Sequence, residues 1–129
     1  AFVPSVELST SKARKMLPES IPHSDAVKNS SNVAVLVQAL QHRPDLLLSA
    51  TEDYLHQAYR KDAMPNSFAI MTKLRQAGVA AFISGAGPTV MVLHTGGSSE
   101  ADELERAAGD KFHLIPLGIS RTGVTVITA

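Results

Sequence analysis

The sequence predicts an α+β domain in which a mainly antiparallel sheet carries helices packed on one face. Residues 79–84 and 89–93 are two short apolar runs with Val and Ile, separated by a turn that contains Gly85, Gly87 and Pro88. Such runs on either side of a glycine-rich turn are typical of a hairpin, whose strands are antiparallel. Segments with apolar residues three or four positions apart precede and follow the hairpin, and they predict helices that cover the sheet.

The chain begins with a predicted strand at residues 2–8, followed by a short helix. Pro4 predicts an edge or irregular strand, because proline has no N–H to donate to a neighbouring strand. Ser9 and Thr10 offer an N-cap for the helix, since a hydroxyl oxygen can accept from a free N–H of the first turn. We expect the helix to stop at Pro18.

Three more helices are expected before the hairpin. One runs from Ser24 to Arg43, one opens at Pro44 and reaches Leu55, and one lies between Pro65 and Gly78. Proline is favoured in the first turn of a helix and glycine just beyond its end. The apolar residues of the first of these helices recur at helical spacing and are expected in the core: Val33, Leu36, Val37 and Leu40.

The region after the hairpin predicts one more helix and one or two strands. Residues 96–99 offer a cap for a helix that Gly109 closes, and residues 113–119 and 124–128 alternate as strands do. A strand–helix–strand unit at this end would pack as a split βαβ unit. The predicted architecture is therefore ferredoxin-like, with residues 1–129 forming one domain.

Composition argues against several classes of function. The 129 residues carry 12 basic and 12 acidic side chains, and aromatic residues make up only 5%, which gives nucleic-acid binding little support. Cysteine is absent, which removes disulfides, zinc–thiolate sites and thiol nucleophiles. The histidines show no metal-like spacing, so we expect no metal site. No apolar run is long enough to span a membrane, and we expect a cytoplasmic protein.

The turn of the hairpin resembles a motif of the GHMP kinases, the small-molecule kinases that include galactokinase, homoserine kinase and mevalonate kinase. It reads Gly85-Ala86-Gly87-Pro88-Thr89, where homoserine kinases have Gly-Ser-Gly-Pro-Thr or Gly-Ser-Gly-Pro-Ser, so Ala86 replaces the central serine. Phosphate-binding fingerprints that open a helix do not fit, because both flanks of the turn are strand-like. The resemblance implies that these five residues support a phosphate loop. A tight hairpin without a ligand is the alternative.

Two further segments resemble homoserine kinases. Residues 7–14 read Glu-Leu-Ser-Thr-Ser-Lys-Ala-Arg, and residues 55–60 read Leu-His-Gln-Ala-Tyr-Arg and are followed by Pro65. In that family each such segment presents an arginine to the substrate, which implies substrate contacts for Arg14 and Arg60. A guanidinium is permanently charged and matches a carboxylate in a bidentate manner. The alternative for either arginine is a weak ion pair at the surface.

Thr10, His23 and His56 are weaker candidates within or beside these segments. The resemblance implies that Thr10 could contact substrate or phosphate, and its alternative role is that of a helix cap. For His23 and His56 the alternative is a histidine at the surface or at a helix end.

The resemblance is to the C-terminal half of a homoserine kinase, and the nucleotide-binding half of that family is absent from these residues. It implies the substrate-side domain of an enzyme that phosphorylates homoserine in threonine biosynthesis. ATP and Mg²⁺ would bind mainly to the absent half, and the chain alone would be inactive. A face that packs against a missing half is expected to be apolar, near residues 2–8 and the turn, and covered by association into a homo-oligomer.

Two alternatives to homoserine kinase remain at this point. One is another GHMP kinase, acting on a mevalonate-pathway or sugar substrate, because the glycine motif is shared more widely than the two arginine segments. The other is a non-catalytic α+β module that senses a small molecule. Such a module would bind an amino acid as an isolated chain, whereas half of a kinase would bind it poorly.

Overall fold

The sheet and its helices follow one another in the predicted order. The computed structural model describes residues 1–96, 98–120 and 122–127, without the side chains of residues 98–101. The strands are β1 (Phe2–Pro4), β2 (Ala80–Ile83), β3 (Val90–Leu93) and β4 (Phe112–Leu114). The α-helices are α1 (Thr10–Lys15), α2 (His23–Gln41), α3 (Leu47–Ala50), α4 (Pro65–Gln76) and α5 (Ser98–Ala108), and short 3₁₀ helices span Pro44–Leu46, Ala58–Ala63 and Gly109–Lys111.

The strands lie in the order β2-β3-β1-β4, and each neighbouring pair is antiparallel. Helix α5 connects β3 to β4, which have β1 between them, and the segment from α1 to α4 connects β1 to β2, which have β3 between them. Each of these two connections therefore forms a split βαβ unit, and the two units interleave in the sheet. The predicted α+β, ferredoxin-like architecture is confirmed.

Strand β1 lies inside the sheet, so its predicted edge position is wrong. Phe2 pairs with Val90 on one side and with Leu114 on the other. Pro4 is compatible with this position because it ends the strand and pairs with β4 alone, opposite Phe112. The strand also stops four residues earlier than expected, since residues 5–8 form no ladder.

Helices α4 and α5 cover one face of the sheet and form the main core with it. Phe2 is fully buried and packs edge-on against Phe112, with the ring centroids 6.3 Å apart. Helix α4 begins at Pro65 and ends just before Gly78, as predicted. The buried residues of this cluster are Phe2, Met64, Ile70, Met71, Leu74, Ala81, Ile83, Val90, Leu104, Ala108 and Phe112.

A second, smaller cluster joins α2 and α3 to the β2 edge of the sheet. It contains Ala39, Leu47, Ala50 and Ala80. Because neighbouring residues of a strand point to opposite faces, Ala80 lies on the face opposite to the main core. This packing brings the C-terminal part of α2 against the start of β2.

Three of the four apolar residues of α2 that were predicted in the core are exposed rather than buried. Val33, Val37 and Leu40 are 58%, 51% and 54% exposed, and only Ala39 of this helix is fully buried. Helical spacing tells which residues share a face, but not which face meets the sheet. Helix α2 packs through the small Ala39 and through Leu36, the one residue of the predicted set that is half-buried against the core.

Other predicted boundaries differ from the structure. Helix α3 ends at Ala50 rather than at Leu55, and the segment that follows is irregular until residue 58. Residues 122–127 form no strand, and Thr128 lies outside the described residues. Gly97, within the predicted cap at residues 96–99, also lies outside them, as do the side chains of Ser98 and Ser99.

The exposed apolar residues are not where we expected them. Within the described part of the chain, the large exposed apolar side chains lie mainly on α2 and between residues 115 and 127, with only Val6 near the first strand and none in the turn. Within the turn, Ser84 and Gly85 are exposed and residues 86–89 are half-buried. The described helices include none that is long and apolar enough to cross a membrane.

Candidate functional site

A cavity of about 510 Å³ lies between α1, α2, the segment at residues 50–60 and the glycine turn. It brings together six of the ten residues identified from the sequence, namely Thr10, Arg14, His56, Arg60, Gly85 and Ala86. His23, Gly87, Pro88 and Thr89 do not line it. Sequence reasoning missed several polar residues of its lining: Asn29, Asn32, Glu52, Asp53 and Gln57.

Arg60 is the buried cation of this cavity. Its side chain is only 6% exposed, its Nε donates to the Ala13 carbonyl at 3.2 Å, and its Nη1 donates to the Gly85 carbonyl at 3.0 Å. Among the residues that the structure describes, none accepts from Nη2 and no carboxylate forms an ion pair with Arg60. The surface ion pair considered for Arg60 is therefore wrong. A buried charge with only neutral partners favours the binding of an anion.

Arg14 lies on the same cavity but is exposed. Within the described residues its side chain forms neither a hydrogen bond nor an ion pair, so its guanidinium is available to a ligand. Ser9 caps α1, since its hydroxyl accepts from the Lys12 N–H at 3.3 Å. The capping role considered for Thr10 is therefore wrong, and its side chain lines the cavity.

The glycine turn has the backbone that its two glycines permit. Gly85 has a φ of +55° and Gly87 a φ of +87°, a region that side chains with a Cβ rarely occupy. The Ser84 N–H donates to the Thr89 carbonyl at 2.9 Å, and the Gly87 N–H donates to the Ser84 carbonyl at 2.9 Å. An alanine at either position would therefore strain the backbone of the turn.

The exit of the turn is packed against the start of α4. A Cβ on Gly87 would lie 2.6 Å from Met64 Cε, and the Ser67 hydroxyl donates to the Pro88 carbonyl at 2.6 Å. Gly87, Pro88 and Thr89 thus hold the turn in place, while Gly85 and Ala86 face the cavity.

Asp53 organises the segment that leads to Arg60. Its carboxylate accepts from the N–H groups of Leu55 at 3.3 Å, His56 at 2.8 Å and Gln57 at 2.5 Å, and its Oδ1 lies 3.0 Å from His56 Nδ1. Burial disfavours the charged form, but the hydrogen bonds from the Gln57 N–H, the His56 ring and the other two N–H groups outweigh it. They hold the pKa of Asp53 below its usual value.

Two asparagines of α2 hold the same segment from the other side. Asn29 Oδ1 accepts from the Tyr54 N–H at 3.1 Å, and Asn32 Nδ2 donates to the Glu52 carbonyl at 3.0 Å. Their three-residue spacing, which places both on one side of a helix, was the available signal in the sequence. His23, by contrast, is the exposed first residue of α2 and lies away from the cavity.

Residues 35–114 match the family model described as "GHMP kinases C terminal", which covers more than half of the chain. The chain belongs to the GHMP kinases. Homoserine kinase of Streptomyces coelicolor is 49% identical to it over 126 residues, which are 98% of this chain and 40% of that protein. Homoserine kinase of Corynebacterium efficiens is 52% identical over 95 residues, 74% of this chain and 31% of that protein.

The fold of this GHMP kinase domain also resembles a solved structure. The crystal structure of homoserine kinase from Cytophaga hutchinsonii matches with a TM-score of 0.73 and 29% identity, covering 83% of this chain and 34% of that one. The chain thus spans about two fifths of the length of the curated relatives with which it aligns over its whole extent.

Replacing Asp53 with asparagine is expected to loosen residues 55–57 of this GHMP kinase domain at neutral pH. Because the pKa of Asp53 is lowered by folding, its contribution to stability is complete above the unfolded value of about 3.9 and is lost as the pH falls through the folded value. Hydrogen-exchange protection of the Leu55, His56 and Gln57 amides, followed from neutral to acid pH, measures this loss.

The control for that experiment is Asp45→Asn. Asp45 pairs with Arg43 at 2.7 Å, but both side chains are 59% exposed, so the variant should leave the protection of residues 55–57 unchanged. Equal acid sensitivity of these amides in wild type and Asp53→Asn would show that another group controls the segment.

Proposed function

We propose that this chain is the C-terminal, substrate-side half of homoserine kinase, and that residues 1–129 form a single domain of it. The parent enzyme transfers the γ-phosphoryl group of ATP to the hydroxyl of L-homoserine, giving O-phospho-L-homoserine in threonine biosynthesis. The observation that carries the proposal is the cavity, which joins the buried Arg60, the exposed Arg14 and the glycine turn. The names of the relatives in two bacterial genera and of the solved structure support it.

In this proposal the two arginines bind the carboxylate of homoserine. Arg60 is held by two carbonyls, so its remaining donors are already oriented and lose little conformational freedom on binding. Arg14 is exposed and closes on the carboxylate from α1. Holding the carboxylate places the hydroxyl at the far end of the substrate, and phosphoryl transfer depends mainly on such positioning and on charge stabilisation.

The proposal assigns ATP and Mg²⁺ to the other half of the parent enzyme. Among its described residues, this chain has no group of three or more His, Asp or Glu side chains that could hold a metal ion. Its contribution to the nucleotide site is indirect, since residues 85–89 would support the phosphate loop of that half. A cytoplasmic location and self-association into a homo-oligomer belong to the same proposal.

The test is homoserine-dependent release of ADP by the purified parent enzyme with Mg²⁺, beside the 129-residue chain under the same conditions. We expect turnover by the parent enzyme and none above the blank by the chain, since the proposed nucleotide site is outside it. Turnover with mevalonate or a sugar, but not with homoserine, would identify a different GHMP kinase. Tight binding of an amino acid by the chain alone, without turnover in the parent, would favour the sensing module.

A further inference from the structure

Gln57 joins the arginine-bearing segment to the glycine turn. Its side chain is 9% exposed, and its Oε1 accepts from the Ile83 N–H at 2.6 Å, across 26 residues of sequence. Ile83 is the last residue of β2, two positions before Gly85. The bond therefore holds the end of the strand at the point where the turn begins. Ile83 is itself buried, so its N–H has little access to water.

A second bond connects the same two segments. Arg60 follows Gln57 by three residues, its N–H donates to the Gln57 carbonyl at 3.2 Å, and its Nη1 donates to the Gly85 carbonyl. The two hydrogen bonds thus close a ring with two short backbone stretches. One stretch runs from Gln57 to Arg60, and the other runs from Ile83 to Gly85. Asp53 fixes the start of the ring, since its carboxylate accepts from the Gln57 N–H.

The geometry of this ring makes the place of Arg60 dependent on Gln57. If the Oε1 acceptor is removed, a buried N–H loses its partner, and the end of β2 must move to find another. The Gly85 carbonyl moves with it, and this carbonyl is one of only two described groups that hold the Arg60 guanidinium.

We propose that Gln57 is a positioning residue for substrate binding, which sets the glycine turn against Arg60 without itself needing to touch the substrate. This inference rests on the proposed function, because it takes homoserine as the ligand of Arg60. It predicts that loss of the Gln57 acceptor impairs binding and turnover beyond what any loss of stability explains.

Three variants of the parent enzyme test the inference. Gln57→Met keeps the length of the side chain but removes the acceptor, whereas Gln57→Glu keeps an oxygen at its end. Thr72→Val is the matched control, because it removes the hydrogen bond from Thr72 Oγ1 to the Phe68 carbonyl within α4, away from the cavity. For each variant, the KM for homoserine, kcat, the Tm and hydrogen exchange of the amides at residues 83–87 are measured.

We expect Gln57→Met to raise the KM for homoserine by about tenfold or more and to lower kcat, because small displacements of a positioning group have large kinetic effects. Gln57→Glu should restore most of both, and Thr72→Val should leave both unchanged despite a lower Tm. Wild-type KM and kcat in Gln57→Met, with only the Tm lowered, would overturn the inference.

Hydrogen exchange separates failure of this inference from failure of the proposed function. If the wild-type parent shows no turnover with homoserine, the proposed function is wrong. Exchange at residues 83–87 that is faster in Gln57→Met than in Thr72→Val would still support the positioning of the turn by Gln57. Equal exchange in the two variants would overturn it.

Discussion

Arg60→Ala in the parent enzyme is expected to raise the KM for homoserine by an amount equivalent to about 1.5–3 kcal/mol, with a much smaller change in the KM for ATP. The reason is that the variant removes a charge-assisted contact to the substrate carboxylate, while the proposed nucleotide site lies in the other half. The Tm should fall as well, because Arg60 also ties the Ala13 and Gly85 carbonyls together. Steady-state kinetics with each substrate varied in turn provide the measurement.

Two other arginines separate binding from stability. Arg75 donates to the Leu48 carbonyl at 2.7 Å and to the Ala81 carbonyl at 3.0 Å, and it does not itself line the cavity. It also contacts two lining residues, Thr51 and Glu52, so Arg75→Ala should lower the Tm and raise the KM for homoserine much less than Arg60→Ala does. The Arg14 side chain has no hydrogen-bond or ion-pair partner among the described residues, so Arg14→Ala should raise this KM without lowering the Tm. If the folded Arg60→Ala enzyme has an unchanged KM for homoserine, Arg60 does not bind the substrate and serves only as a structural link between α1 and the turn.

Gly87→Ala is expected to destabilise the domain by about 2 kcal/mol, more than an ordinary glycine substitution. A φ of +87° costs a residue with a Cβ about 1 kcal/mol or more. In addition, the new Cβ would lie 2.6 Å from Met64 Cε and 3.2 Å from Ile83 Cγ2, so the flexible end of the buried Met64 side chain must move aside. Urea unfolding of the variant enzyme measures the loss, and the same displacement of the turn should lower kcat.

Gly85→Ala is the matched comparison for Gly87→Ala. Gly85 has a φ of +55° but no atom within 4 Å of its ideal Cβ, so it should cost only the backbone strain of about 1 kcal/mol. Combining Gly87→Ala with Met64→Ala should cost less than the sum of the two single changes, because the shorter side chain removes the clash. Equal costs at the two glycines would show that the contact with Met64 is unimportant.

The hairpin and its turn could be predicted because their determinants are local in the sequence. Two apolar runs separated by a glycine-rich turn predict antiparallel strands, and the positive φ angles of Gly85 and Gly87 agree with the residue type. Pro65 and Gly78 marked the ends of α4 for a similar reason. The two arginine segments were recognisable from their residue order, and the structure places Arg14 and Arg60 on one cavity.

The packing of α2 and of β1 could not be predicted in the same way. The spacing of Val33, Val37 and Leu40 correctly predicted a helix, but the helix meets its neighbours through Ala39. Pro4 was compatible with an interior strand because only Phe2 of β1 pairs with β3. In both cases the outcome depends on which neighbouring surface is available, and no local pattern contains that information.

The sequence by itself determined the fold class, the glycine turn and the two candidate cations. Only the tertiary structure decided that Arg60 is buried and that hydrogen bonds hold the residues around the cavity in place. These hydrogen bonds join residues far apart in sequence, such as Arg60 with Ala13, Gln57 with Ile83 and Asn29 with Tyr54. The burial of a side chain and its hydrogen-bond partners depend on the residues that surround it after folding, so they cannot be read from the residue type alone.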